Sequence, residues 1–184
     1  DLNGNHVWAH TFGGTGDDYP YALTLDNVGD VFMAGSYADT VQFGLTSLTS
    51  EGEQDVFLMK VSQVEGTGVH WATSIGGTGF DRPFALCADE SGNAYVGGVF
   101  SATANFGVGI DQIQLTSDGE GDTFQAKYEP NGSFTWAAGM GDEGHDVCLG
   151  LDVDGVGNIY STGSFEGSVI FDPNPSFLPA LVSD

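Results

Sequence analysis

A chain that repeats about thirty-five residues three times, in register and without a gap, has few folds open to it. Tryptophans mark the copies: Trp8, Trp71 and Trp136 stand 63 and 65 residues apart. At equal offsets behind each come Asp18, Asp81 and Asp146, then Asp26, Asp89 and Asp154, then Gly29, Gly92 and Gly157. Asp30, Asn93 and Asn158 follow, with Phe32, Tyr95 and Tyr160 two residues later. Gly35, Gly98 and Gly163, the aromatics Tyr37, Phe100 and Phe165, and finally Phe43, Phe106 and Phe171 complete the register. A further part, "DVFLMKVS" at 55–62 and "DTFQAKYE" at 122–129, shares Asp, Phe and Lys at matching positions. The units run approximately over 1–64, 65–129 and 130–184, the last incomplete, within one segment spanning 1–184. The chain stops where the next such strand is due, which predicts that it is part of a longer protein.

Each unit offers four short strands, of the "ALTLD", "DVFMAGSY", "DVFLMKV" and "VHWATSIG" types, rich in aromatic and β-branched residues and bounded by Gly, Asp or Asn. No stretch carries a helical apolar period. Three of the four strands are nearly continuous apolar runs, the pattern of a sheet covered on both faces. The first two are joined by "LDNVGD", "ADESGN" and "VDGVGN". There the Asp side chain caps the turn and the Gly takes the left-handed position of a three-residue hairpin loop. "GGTGDD" at 13–18 is therefore a link between sheets, because a phosphate-binding loop must lead into a helix N-terminus. Four antiparallel strands in tandem units of about 64 residues predict an all-β fold, a β-propeller segment of about three four-stranded blades. A parallel β-helix competes, but its coils are shorter and lack such hairpins. A propeller ring takes typically about four to eight blades, so closure needs further blades or further copies of the chain.

Apolar residues make up 40% of the chain, enough for a core, and no apolar run is long enough to span a membrane. Against 26 Asp and Glu stand only Lys60, Arg82 and Lys127, a formal charge of −23. Nucleic acid and anionic membranes are thereby disfavoured as partners, since both are held by Lys and Arg. Such a charge suits a secreted protein in calcium-containing or salty water. The opening "DLNGNHVW" reads as a turn and a strand, so either a leader has been removed or the chain is an internal piece. Cys87 and Cys148 fall at different repeat positions and are expected as buried free thiols.

The grammar W-x-x-x-x-G-G-x-G-x-D…A-x-x-x-D-x-x-G-N-x-Y-x-x-G…D-x-F-x-x-K resembles the bacterial seven-bladed β-propeller (SBBP) repeat family, and more loosely the NHL-type propeller repeats. "GGTGFDRPFALCADESGNAYVGG" carries the resemblance best, and "VIFDPNPSFLPALVSD" at 169–184 looks like the blade insert of secreted multi-repeat proteins of Bacteroidetes type. The third copy departs from it, with Asp142 and Glu143 in place of Gly77 and Thr78. The resemblance implies an extracellular or surface-exposed protein of many blades, a scaffold, adhesin or interaction module.

Candidate chemistry is thin. His6, His10, His70 and His145 do not recur together, so no ring of imidazoles forms; His145, in place of Phe80 and Asp17, is the one hint of the non-repeating polar residues that an enzyme site would need. "NGSFTW" at 131–136 faintly resembles a sialidase box, but sialidases grip their substrate with several arginines and here there is one. Asp18, Asp81 and Asp146 are the candidate metal ligands: at the start of the innermost strands they would ring one mouth of the channel and suit Ca²⁺. Alternatively each caps its own Gly-rich connection. "DVDGVGN" at 152–158 lacks the acids of a calcium loop and reads as a hairpin turn. Lys60 and Lys127 share one repeat position, which predicts pairing with a nearby Asp. The expected function is a non-catalytic extracellular structural or interaction module, adhesin- or scaffold-like and Ca²⁺-stabilised. Its partner would be another protein or a surface glycan, with self-assembly if the chain is complete. Carbohydrate binding, or an enzyme whose active site lies in blades not present, are the alternatives.

Overall fold

The computed structural model describes residues 2–64, 68–169 and 181–183. Inside them lie two complete four-stranded antiparallel blades and the first hairpin of a third. The first blade orders β2 (Asp18–Leu25), β3 (Val31–Tyr37), β6 (Asp55–Val61) and β7 (Val69–Gly77); the second repeats it with β8 (Asp81–Ala88), β9 (Ala94–Phe100), β12 (Asp122–Tyr128) and β13 (Phe134–Met140). The third supplies β14 (Val147–Val153) and β15 (Ile159–Ser164). Strands β2, β8 and β14 lie side by side as the inner strands, so the blades stack face to face around a common axis, the arrangement of a propeller.

Stacking explains the apolar runs. Every residue of β6 and of β9 is buried, because a neighbouring layer covers each face. One cluster fills the space between the first two blades: Phe32, Val56, Leu58 and Ile75 from one side, Val96, Phe100, Phe124 and Tyr128 from the other. The opposite face of the first blade carries a second cluster, with Tyr37, Phe43, Phe57 and Met59 at its centre.

Each inner strand is bulged. Pairing shifts between Pro20 and Ala22, between Pro83 and Ala85, and between Cys148 and Gly150. A bulge accommodates a proline inside a strand. It also presses a carbonyl onto the partner strand: a side-chain carbon on Gly98 would sit 2.0 Å from the Arg82 carbonyl oxygen. The same contact fixes Gly35 on Tyr19 and Gly163 on Val147, which is why glycine recurs there.

Each complete blade has the four strands expected, and its unit adds two more outside the blade. An extra hairpin, β4 (Thr40–Phe43) with β5 (Thr46–Thr49), follows β3; its counterpart, β10 (Thr103–Phe106) with β11 (Ile113–Thr116), follows β9. A short 3₁₀ turn at Gly109–Asp111 sits between β10 and β11. These hairpins reach back to the preceding unit. Ala104 pairs with Gly77 and Asn105 with Gly76 at the end of β7, and Gly13 and Gly14 (β1) pair with Gln42 and Val41 in the same way. In the third unit β16 (Ser168–Val169) pairs with β17 (Leu181–Val182). Phe171 and most of "VIFDPNPSFLPALVSD" lie outside the described residues. The Trp8 segment differs from its counterpart β7: residues 6–12 are assigned to no strand among the described residues.

Candidate functional site

The recurring polar residues fall into two sets. The first caps the hairpins between inner and second strands. Asp89 Oδ1 accepts from the N–H groups of Ser91 and Asn93, both at 2.9 Å, while Oδ2 accepts from Asn93 Nδ2 at 2.7 Å and Tyr95 OH at 3.0 Å. Asp154 repeats this with Val156, Asn158 and Tyr160. Gly92 and Gly157 hold φ of 80° and 90° in these loops, the left-handed position read from the sequence.

The first copy solves the same problem differently. Asp30 and Phe32 replace the Asn and Tyr, so Asp26 keeps its backbone caps from Val28 and Asp30 but has no local donor for Oδ2. Lys60 Nζ fills the place at 2.7 Å, with Asp30 Oδ2 at 3.6 Å, and Asp30 also meets His70 Nε2 at 3.1 Å. Lys127, at the matching position, stands over the Tyr95 ring at 5.1 Å instead. The expected Lys–Asp pairing thus forms for Lys60 and not for Lys127, which meets Tyr95, itself a donor to Asp89. All three hairpin carboxyls are held below the ordinary carboxylate range. At Asp26 and Asp89 burial works upward, and the donors (Lys60 for one, Asn93 and Tyr95 for the other) more than reverse it. At exposed Asp154 the Asn158 donors dominate.

The second set contains Asp18, Asp81 and Asp146. Each accepts the N–H of the residue four places earlier: Gly14 at 2.8 Å, Gly77 at 3.0 Å and Asp142 at 3.1 Å. Each therefore ties down its own connection. They stand on neighbouring inner strands, but among the described residues no group of three or more His, Cys, Asp or Glu side chains is placed to hold a metal ion.

What does come together is a carboxylate pair at each blade junction, and one member of each pair is not among the candidates named from the sequence. Asp55 and Asp122 open the third strand of their blades, and they use the same device: Asp55 Oδ2 accepts from Glu51 N–H at 3.1 Å and Asp122 Oδ2 from Asp118 N–H at 3.2 Å. Gly76 separates Asp55 from Asp81. A side-chain carbon on it would lie 2.7 Å from both Asp55 Cγ and Asp81 Oδ2. Gly141 lies against Asp122 in the same way, with 2.4 Å to Cγ. Burial, with the neighbouring charge added to it, raises these acids: Asp55 to about 6, with Glu51 contributing, and Asp81 to about 8, with Asp55 contributing. Asp122 is raised by burial and by Asp146. The signal for Asp55 and Asp122 was present as a recurring Asp four residues behind a loop residue, the spacing of Asp18 behind Gly14.

Parallel bridges close the junctions. Asp81 N–H donates to the Gln54 carbonyl at 2.7 Å, and Asp146 N–H to that of Gly121 at 2.8 Å. His145 occupies the backbone place of Phe80 there, bridging Gly121 as Phe80 bridges Gln54. Cys87 and Cys148 are free and buried, as expected, and burial pushes the Cys87 thiol up to about 11. On the inner strands Arg82 stands over the Tyr21 ring at 5.7 Å, and Tyr21 meets Phe84 edge-on. Among the described residues no helix is long and apolar enough to cross a membrane.

No family model matches the chain. Over an alignment of 191 positions that covers 89% of the chain, it is 23% identical to an uncharacterised WD repeat-containing protein of Acanthamoeba polyphaga mimivirus. The matched part covers 14% of that protein, so the chain spans a small share of its relative's length. WD repeats are four-stranded propeller blades, and the stacked four-stranded sheets seen here agree with that likeness: the chain is a propeller-type repeat.

Proposed function

We propose that this chain is a stretch of an extracellular, non-catalytic propeller, of the seven-bladed bacterial repeat type it resembles, that serves as a structural and protein-interaction module. One observation carries the reading. The polar residues that recur from unit to unit spend their hydrogen bonds on the chain's own backbone, at hairpins and blade junctions. Recurrence of this kind maintains a scaffold. The likeness to a WD repeat-containing protein supports the same class, and the net charge of −23 suits solvent rich in cations. Sugar recognition is the second reading, favoured by the partly exposed Tyr19 and Tyr21 on β2, the latter under Arg82.

Intact producing cells test it. Brief external proteolysis is expected to release peptides of this chain, and cross-linking of the whole protein to join it reproducibly to one other surface protein. Confinement to the cytosol would sink the extracellular reading. Binding to defined oligosaccharides on a glycan array, lost in Tyr21→Ala, would transfer the function to sugars.

A further inference from the structure

The two junction pairs look alike in sequence and differ in one respect. At the second junction every carboxylate oxygen has a donor: Asp122 takes Ser117 Oγ and Asp118 N–H, and Asp146 takes Asp142 N–H and Glu166 N–H. At the first, Asp55 Oδ1 and Asp81 Oδ1 are buried with no hydrogen-bond partner, in residues only 2% and 1% exposed. An orphaned carboxylate oxygen out of reach of water is costly, and two beside each other more so.

No basic side chain relieves them. Among the described residues Lys60 and His70 pair with Asp26 and Asp30, Lys127 stands on Tyr95, and Arg82 donates to Gln54. The space at the pair is kept open by Gly76: an added carbon there would come within 2.8 Å of Asp55 Oδ1. Asp55 also lines a polar cleft of about 240 Å³, between the outer end of the first blade and the β10–β11 hairpin, together with Glu51, Ser74, Asn105 and Gln112. Asp55 thus stands between this cleft, which also holds the Ser74 hydroxyl and the Glu51 carboxylate, and Asp81, from which Gly76 separates it.

We propose that the Asp55–Asp81 pair binds one hard divalent cation of the calcium class, which enters by this cleft and clamps the first blade to the second. The unpaired oxygens of Asp55 and Asp81 are its protein anchors, Ser74 Oγ stands 3.4 Å from the other Asp55 oxygen, and water fills the remaining positions. Calcium suits such a set because it accepts six to eight oxygens at about 2.3–2.6 Å in adaptable geometry, whereas magnesium demands a near-ideal octahedron. The second pair, fully hydrogen-bonded, binds none.

Chelator-stripped protein titrated with CaCl₂ or MgCl₂ at fixed ionic strength tests this, read by calorimetry and thermal melting. One equivalent of calcium is expected to bind, with Tm rising by roughly 5–10 °C at a hundredfold excess over Kd. Asp55→Asn and Asp81→Asn should each abolish both signals, and Asp122→Asn should keep them. Terbium luminescence excited through Tyr37, whose hydroxyl lies 2.7 Å from Ser74 Oγ, gives a readout on the unaltered chain. Emission displaced by calcium supports the site even if a variant fails to fold. Three results overturn it. A calcium response that survives both Asn variants is screening of the acidic surface. No calcium binding and no terbium emission means no site. Stability that rises from pH 8 to pH 6 with no calcium response means that a shared proton neutralises the pair.

Discussion

At the scale of single residues, aspartate does two opposite jobs in this chain. In the hairpins it sits among donors, and its carboxyl is held below the ordinary range; at the junctions Asp55, Asp81 and Asp122 are buried beside another acid, and their carboxyls are raised. The pH consequences have opposite signs. A hairpin Asp contributes stability that is fully present above about pH 4, its value in the unfolded chain, and that is lost as pH falls through the lower folded value. Asp89→Asn/Asp154→Asn keeps an oxygen for the caps but cannot titrate. Urea unfolding at pH 6, 4 and 3 is expected to show a shallower acid loss in this double variant than in the parent. Parallel acid limbs would mean that the hairpin carboxyls do not govern acid stability. Lys60 marks the cost of changing the local donors: where Asp30 and Phe32 replace Asn and Tyr, a buried ammonium from the next strand takes over.

At the scale of elements, the extra hairpins are the feature that sequence reading missed. The strands "TVQF", "TSLT", "TANF" and "IQLT" are each four residues long and are not among the four strand types recognised in the sequence. Their signal was one buried aromatic per unit, Phe43 and Phe106, at a recurring position after the second strand. Phe106 is fully buried and meets Phe124 at 5.4 Å and Phe100 at 6.3 Å, and with Ala104 and Leu115 it fastens the hairpin to the core. Phe106→Ala is expected to cost about 3–5 kcal/mol. Ile110→Asp, at the fully exposed tip of the same insert, should change stability by no more than about 0.5 kcal/mol. Equal losses in urea unfolding would mean that the insert acts through its tip. The main strands were legible because both faces are covered, which leaves continuous apolar runs in β6 and β9. The hairpin turns were legible because Asp and Gly have separate geometric tasks there. The junction pairs were not, since which blade's Asp meets which depends on stacking, and Asp55 and Asp81 stand 26 residues apart in the chain.

At the scale of the whole molecule, the units are unequal despite their common sequence. Among the described residues the second blade alone has a blade or part of one on both faces: β9 and β12 pack against the first blade on one side and against β14 on the other. The first blade turns the other way to an apolar cleft of about 450 Å³ lined by Phe12, Leu23, Met33 and Phe57. In the third, β15 pairs among the described residues with β14 alone and is largely exposed. In a stack of repeats, stability is a sum of intrinsic and nearest-neighbour terms, so it should be highest where a unit has two neighbours. Native-state hydrogen exchange would resolve the gradient. Amides of β9 and β12 are expected to exchange last, those of β3 and β6 earlier, and those of β15 first. Calcium, if it clamps the first junction, should slow β6 and β8 while leaving β15 unchanged. Uniform exchange across all three units would show one cooperative block, and the nearest-neighbour picture of these blades would then have to be abandoned.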